Sequence, residues 1–134
     1  SPIAIRNMQN IGILQDSLGV CRFTGYAFSA DPWARMVGGV TGRDFSVARF
    51  DEIENRVAAL ERQFNVEAGA TAEDDALPDR FAEVAIIAGG KERRITREDQ
   101  ERMKRDYYEV RGWDRAGRPT PELLRSLRIE ERRR

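Results

Sequence analysis

The chain contains no histidine and a single cysteine, Cys21. Without histidine, imidazole acid–base catalysis and Cys/His zinc sites are closed to it. One cysteine excludes an internal disulfide framework and agrees with a reducing, cytoplasmic setting. No Cys-x-x-Cys string is present. Charge of one sign is missing too, since 23 Lys and Arg balance 23 Asp and Glu. A dedicated nucleic-acid or membrane-surface binder needs a basic excess, so neither partner is expected. The one basic cluster, Arg132-Arg133-Arg134, reads as a frayed, solvated tail. No apolar run approaches the roughly 20 residues that span a bilayer. The N-terminus shows no signal-peptide pattern. A starting Met is also absent: Ser1-Pro2 runs straight into an apolar segment, which reads as a piece of a longer chain or a processed form.

What is there suits one ordinary globular domain over residues 1–134, long enough to bury a core. Pro2 to Leu18 carries Ile3, Ile5, Met8, Ile11, Ile13, Leu14 and Leu18, spread too widely for one narrow stripe. That predicts a helix buried on more than one side and ended by Gly19, with Cys21 just beyond it on a loop. Asp31-Pro32 reads as a cap and first helical position before Trp33, Met36, Val37 and Val40, with Gly42 closing the helix. Ser46 is the next cap. Val47, Phe50, Ile53, Val57, Leu60 and Phe64 follow in steps of three and four, the clearest amphipathic helix in the chain.

From Glu67 to Arg97 the pattern breaks. Gly69, Ala70, Thr71, the acidic run Glu73-Asp74-Asp75 and Pro78 read as loop and turn. Phe81 to Ile87 fits a short helix or an extended strip, and Gly89 to Arg94 an exposed loop, with no convincing hairpin signal. Thr96 and Asp99 resemble a capping box that opens a helix to about Arg111, stopped by Gly112. Asp114 to Gly117 is a turn, and Thr120-Pro121 caps a last short helix bearing Leu123, Leu124 and Leu127. The expected fold is all-α, about five helices with one long irregular connection.

Three strings resemble the aldehyde:ferredoxin oxidoreductase family. Asp16-Ser17-Leu18-Gly19-Val20-Cys21 is similar to its Asp-x-x-Gly-Leu-Cys motif. Phe64-Asn65-Val66, then Glu73-Asp74-Asp75-Ala76-Leu77-Pro78-Asp79-Arg80-Phe81, resemble its Phe-Asn-x-Arg-x-Gly and Asp-Asp-x-Leu-Pro-x-Arg stretch. Tyr107-Tyr108-Glu109-Val110-Arg111-Gly112-Trp113-Asp114, with Gly117 and Pro119-Thr120, looks like its terminal Tyr-Tyr-x-x-Arg-Gly-Trp-Asp-x-x-Gly-x-Pro-Thr signature. Together they span nearly the whole chain in order. Two positions depart: Val20 stands where the family has Leu, and Glu67, with its charge reversed, where the family has Arg.

The resemblance implies the C-terminal domain of an enzyme that oxidises aldehydes to carboxylic acids. Such an enzyme holds tungsten, or molybdenum, on a bis-pterin and passes electrons through a [4Fe-4S] cluster to ferredoxin. By motif, Cys21 would be the fourth cluster ligand, with the other three cysteines on preceding domains of the same chain. Asp16 would bond the amino-pyrimidine edge of one pterin, and the backbone of Gly19 and Val20 would contact it. The chemistry suits the spacing: a carboxylate accepts two N–H bonds, and a thiolate a few residues on can reach an adjacent iron. Isolated, the chain is expected to hold no cofactor and to be catalytically silent, and its uncovered surfaces fit a homodimer.

Each of these residues also has a plainer reading. A single cysteine is more often a small buried hydrophobe than a ligand, and Asp16 alone is a solvated helix residue. The acidic run lacks calcium-loop spacing and reads as solvated surface or cap. Among Tyr107, Tyr108 and Trp113, some belong to the core, while Phe23, Tyr26, Phe28 and Trp33 are expected to pack around Cys21. The rival to an enzyme domain is a cofactor-free helical interaction or scaffold module.

Overall fold

The computed structural model describes residues 1–129, with the backbone alone for Tyr26, Ile86, Ala88, Lys91 and Arg93. The basic tail Arg132-Arg133-Arg134 lies outside the described residues. The architecture is all-α. Its helices are α1 (Pro2–Leu18), α2 (Ala30–Thr41), α3 (Val47–Glu67), α4 (Arg80–Glu83), α5 (Arg97–Arg111) and α6 (Pro121–Ser126). A 3-10 turn, Arg22–Tyr26, follows α1, and a small antiparallel hairpin, β1 (Ile86–Ala88) with β2 (Lys91–Arg93), lies between α4 and α5. No helix among the described residues is long and apolar enough to cross a membrane.

Local chemistry sets most of the boundaries. Ser46 caps α3 by accepting the Arg49 N–H at 3.2 Å. Thr96 and Asp99 form a reciprocal capping box at the start of α5. Thr120 caps α6 with Pro121 in the first turn. The start of α2 differs slightly from expectation: Ser29 stands at the cap and Asp31 already lies in the first turn, where its charge favours the helix N-terminus.

The hairpin is a correction. Gly89 and Gly90 both take positive φ, 62° and 73°, the pair that a two-residue primed turn requires. Strands of three residues are too short to leave an alternating pattern in the sequence.

Helix α1 packs against α3 and α5, and α2 packs against α3. Two apolar clusters stand along α3, one shared with α1 and α2 and one with α6 and the residues after it. Leu14, Ala34 and Phe50 are joined by Leu18, Trp33, Val37 and Phe45; Ala59, Leu124, Leu127 and Ile129 are joined by Leu123. Helix α3 runs through both, since Phe50 and Ala59 stand about 14 Å apart along its axis. Losing a side chain such as Phe50 would cost about 3–5 kcal/mol.

Two expectations about buried faces change. The buried residues of α3 are Phe50, Glu54, Ala59 and Arg62, whereas Val47, Leu60 and Phe64 of its apolar stripe stay exposed. The face is rotated because Arg62 and Glu54 turn inward with polar partners, which a hydrophobic count cannot anticipate. Likewise α1 is not buried on several sides in this chain, because Ile3, Ile5, Met8 and Ile11 all remain exposed, Met8 by 75%.

Candidate functional site

The Asp16–Cys21 string forms one turn of defined shape. Gly19 takes the left-handed conformation, φ 65° and ψ 27°. Its N–H donates to the Asp16 carbonyl at 3.2 Å, and the Val20 N–H donates to the Gln15 carbonyl at 3.1 Å. This double closure satisfies the Gln15 and Asp16 carbonyls in the last turn of the helix, and glycine adopts the required φ without a Cβ clash. Cys21 then sits extended (φ −61°, ψ 134°) at the head of the 3-10 turn, whose Thr24 N–H and Oγ1 both donate to its carbonyl.

The side chains of Asp16 and Cys21 are both exposed, and the thiol is free. Oδ2 of Asp16 accepts from Arg22 Nη2 at 3.2 Å, an ion pair open to solvent on both sides, while Oδ1 has no partner among the described residues. Cys21 is thus not the small buried hydrophobe, nor is it wrapped by the neighbouring aromatics as expected. Phe23 is 78% exposed, Phe28 pairs edge-on with Trp33 at 5.7 Å, and Trp33 belongs to an apolar cluster. The Tyr26 side chain lies outside the described residues. A polar side chain, Gln15, ties the 3-10 turn to α1 through the Arg22 carbonyl.

Asp16 opens onto a concavity of about 420 Å³ that also meets Arg22, Asn65, Asp75, Arg111 and Trp113. Residues from all three family-like strings meet there. Gly19, Val20 and Cys21 do not line it; they stand at the turn beside it.

The second and third strings form a buried polar tie. Arg62 holds Asp75 through two bonds of 2.9 and 2.5 Å, and its Nε donates to the Gly117 carbonyl at 2.7 Å. The same guanidinium lies 4.8 Å from the Trp113 ring centroid. Tyr108, 3% exposed, donates its hydroxyl to Asp75. Burial, then the bond and negative charge of Asp75, push the Tyr108 hydroxyl well above its ordinary range. Gly117 (φ 74°) has no alternative, because a Cβ there would run into Arg62 Nη2 and Tyr108.

Arg111, equally buried, fastens α5 to α1. It donates to Asn10 Oδ1 at 2.8 Å and to Gln9 Oε1 at 2.7 Å. The acidic run therefore divides. Asp74 caps the turn at Thr71, whose N–H it accepts at 2.7 Å and whose donation lowers its carboxyl, while Asp75 is drawn inward. No group of three His, Cys, Asp or Glu side chains among the described residues could hold a metal ion.

Asp16 and Cys21 were found by motif. Arg111 stands in the third string, though nothing local shows its partners on α1; Gln15, Arg22 and Arg62 carry no local mark, because their partners are distant in sequence or in a non-periodic turn. Glu67 ends α3, where its exposed carboxylate accepts from Gln63 Nε2 at 3.4 Å.

An exposed carboxylate and an exposed thiol thus stand on one glycine-closed turn, beside a buried polar tie, in an all-helical architecture. The chain belongs to the aldehyde ferredoxin oxidoreductase family: the family described as "Aldehyde ferredoxin oxidoreductase, domains 2 & 3" matches residues 2–129. It is 34% identical over 124 residues to the tungsten-containing aldehyde ferredoxin oxidoreductase of Pyrococcus horikoshii. It is 35% identical over the same length to those of Thermococcus kodakarensis and Pyrococcus furiosus. Each match covers 92% of this chain and 20% of the relative, so the chain spans about a fifth of the length of the curated relatives it matches.

Proposed function

We propose that this chain is the C-terminal part of an enzyme that oxidises aldehydes to carboxylic acids and hands the electrons to ferredoxin. In this reading residues 1–134 form one domain, docked on preceding domains of the same polypeptide that bring the remaining cysteines and the proton-transfer groups. The site residues fit a shared cofactor site. Cys21 offers one exposed thiol, and among the described residues no group of three His, Cys, Asp or Glu could hold a metal ion, as suits one ligand of a [4Fe-4S] cluster shared with other domains. Asp16 offers an Oδ1 with no partner among the described residues, at the edge of the concavity, as suits an N–H-rich pterin edge. A tungsten or molybdenum bis-pterin and the cluster would supply the redox chemistry.

The chain's own contribution is orientation. The backbone of Gly19 and Val20 would contact the pterin, and the turn they form sets the spacing between Asp16 and Cys21. Arg22 holds one carboxylate oxygen, leaving the other to face the ligand. The observation that carries the reading is the exposure of Asp16 and Cys21 on a single closed turn, next to a concavity on which all three family strings converge. Exposed apolar residues of α1 suit coverage by the rest of the polypeptide; a chain lacking that cover would self-associate as a homodimer.

The test is metal analysis and the reduced-state electron paramagnetic resonance spectrum of the full-length protein, prepared anaerobically, beside its Cys21→Ala variant. Tungsten or molybdenum with a [4Fe-4S] signal lost or altered in the variant is expected. Absence of metal and cluster from both proteins would overturn the reading and leave a helical module.

A further inference from the structure

We infer that Gln15 is the positioning residue that places Cys21, an inference that rests on the assignment of Cys21 as a cluster ligand. Cys21 is exposed, and both of its backbone neighbours are held by hydrogen bonds. Gln15 holds both of them. Its main-chain carbonyl accepts the Val20 N–H at 3.1 Å, and its side-chain Nε2 donates to the Arg22 carbonyl at 3.1 Å.

Gln15 is 3% exposed. A buried polar side chain of this kind is costly unless its bonds are made, so the Arg22 bond resists replacement by water. The surroundings are shaped to admit it. A Cβ on Gly25 would lie 2.5 Å from Gln15 Nε2, and a Cβ on Gly12 would lie 2.9 Å from Arg22 Nη2. Two glycines, one on each side, thus let the 3-10 turn lie flat on α1. Arg22 in turn reaches Asp16, so one buried amide fixes the thiol and the carboxylate relative to the same helix.

Groups that orient a ligand commonly change metal retention by roughly 10- to 100-fold when removed. Gln15→Met keeps the length and bulk of the side chain, leaves the backbone bond to Val20 intact, and deletes the donor to Arg22. Gly25→Ala pushes on the same amide from the opposite side. Thr96→Ala, which removes the remote cap of α5, serves as a control for a general loss of stability.

In the anaerobic full-length protein, Gln15→Met is expected to shift the reduced-cluster resonance and its midpoint potential. It should also speed cluster loss to an iron chelator roughly tenfold. Gly25→Ala should move both spectroscopic readouts, and Thr96→Ala neither. Wild-type resonance and potential in Gln15→Met and Gly25→Ala, with Cys21→Ala altered, would overturn the role of Gln15 while leaving the ligand assignment standing. Wild-type behaviour in Cys21→Ala as well would remove the ligand assignment and this inference with it. Should Gln15→Met fail to fold, Gly25→Ala decides on the same readouts.

Discussion

Removing the Asp75 carboxylate should destabilise the chain far more than its position on a surface loop suggests. Arg62 is 8% exposed and Asp75 29%, and two bonds of 2.9 and 2.5 Å join them. In Asp75→Ala, Arg62 keeps its charge among the Trp113 ring and the Gly117 carbonyl but loses its counter-ion. Tyr108 loses its acceptor in the same step. Stranding one member of a buried pair costs about 3–5 kcal/mol, and the partial exposure of Asp75 puts this case at the low end, about 3 kcal/mol. For a chain of this length that corresponds to a fall in Tm of about 10 °C.

Circular dichroism melting at pH 7 measures it. The companion variant is Arg62→Met combined with Asp75→Ala. Removing the charge along with its partner should recover much of the loss, because the cost lies in the unpaired ion. A Tm within about 3 °C of wild type for Asp75→Ala, or a double variant worse than both singles added together, would refute the reasoning. A pH limb accompanies it. The Tyr108 hydroxyl titrates above its ordinary 10.0 in the folded state, so the folded chain holds a proton that the unfolded chain releases. Stability should therefore fall as pH rises past 10.0, and Tyr108→Phe should flatten that limb.

Three further outcomes follow from single residues. Glu54 is buried on α3, and burial, then the charge of Asp51, raises its carboxyl above 4.5, so stability should decline as pH rises through that value. Glu54→Gln should raise the urea midpoint at pH 7 and lose that advantage at pH 4; no change at pH 7 would count against it. Arg128 closes α6 at φ 55°, a conformation glycine enters freely, so Arg128→Gly should gain about 1 kcal/mol by chemical denaturation. Glu67→Arg restores the family's charge at the C-terminal end of α3 and should gain about 0.3–1 kcal/mol at low salt, shrinking in 1 M NaCl, as melting would show.

The elements most legible in the sequence were those bounded by their own residues. Gly19, Gly42 and Gly112 end helices where expected, and Ser46, Thr96 with Asp99, and Thr120 with Pro121 begin them, because a cap acts within one turn of chain. The buried face of α3 was not legible. Its inward turn depends on Arg62 finding Asp75 thirteen residues later and the Gly117 carbonyl beyond, contacts with no periodic trace. The hairpin at Gly89-Gly90 was missed because its strands are shorter than one repeat of an alternating pattern can reveal. At the site, Asp16 and Cys21 were readable as a string with a meaning. Gln15 was not, since a glutamine inside a helix looks solvated until the following turn folds back onto it.

Asp75 divides the long connection after α3 into two stretches with different freedom. Between Glu67 and Asp75 the path begins on a helix end and finishes at a fixed anchor, with Asp74 locking the turn between. An added residue there would have to displace Asp75 from Arg62. Past Pro78, the path runs through a four-residue helix and the glycine tip of a hairpin, where a loop can lengthen without disturbing that anchor. A tag or insertion placed at Gly89-Gly90 should therefore be carried silently.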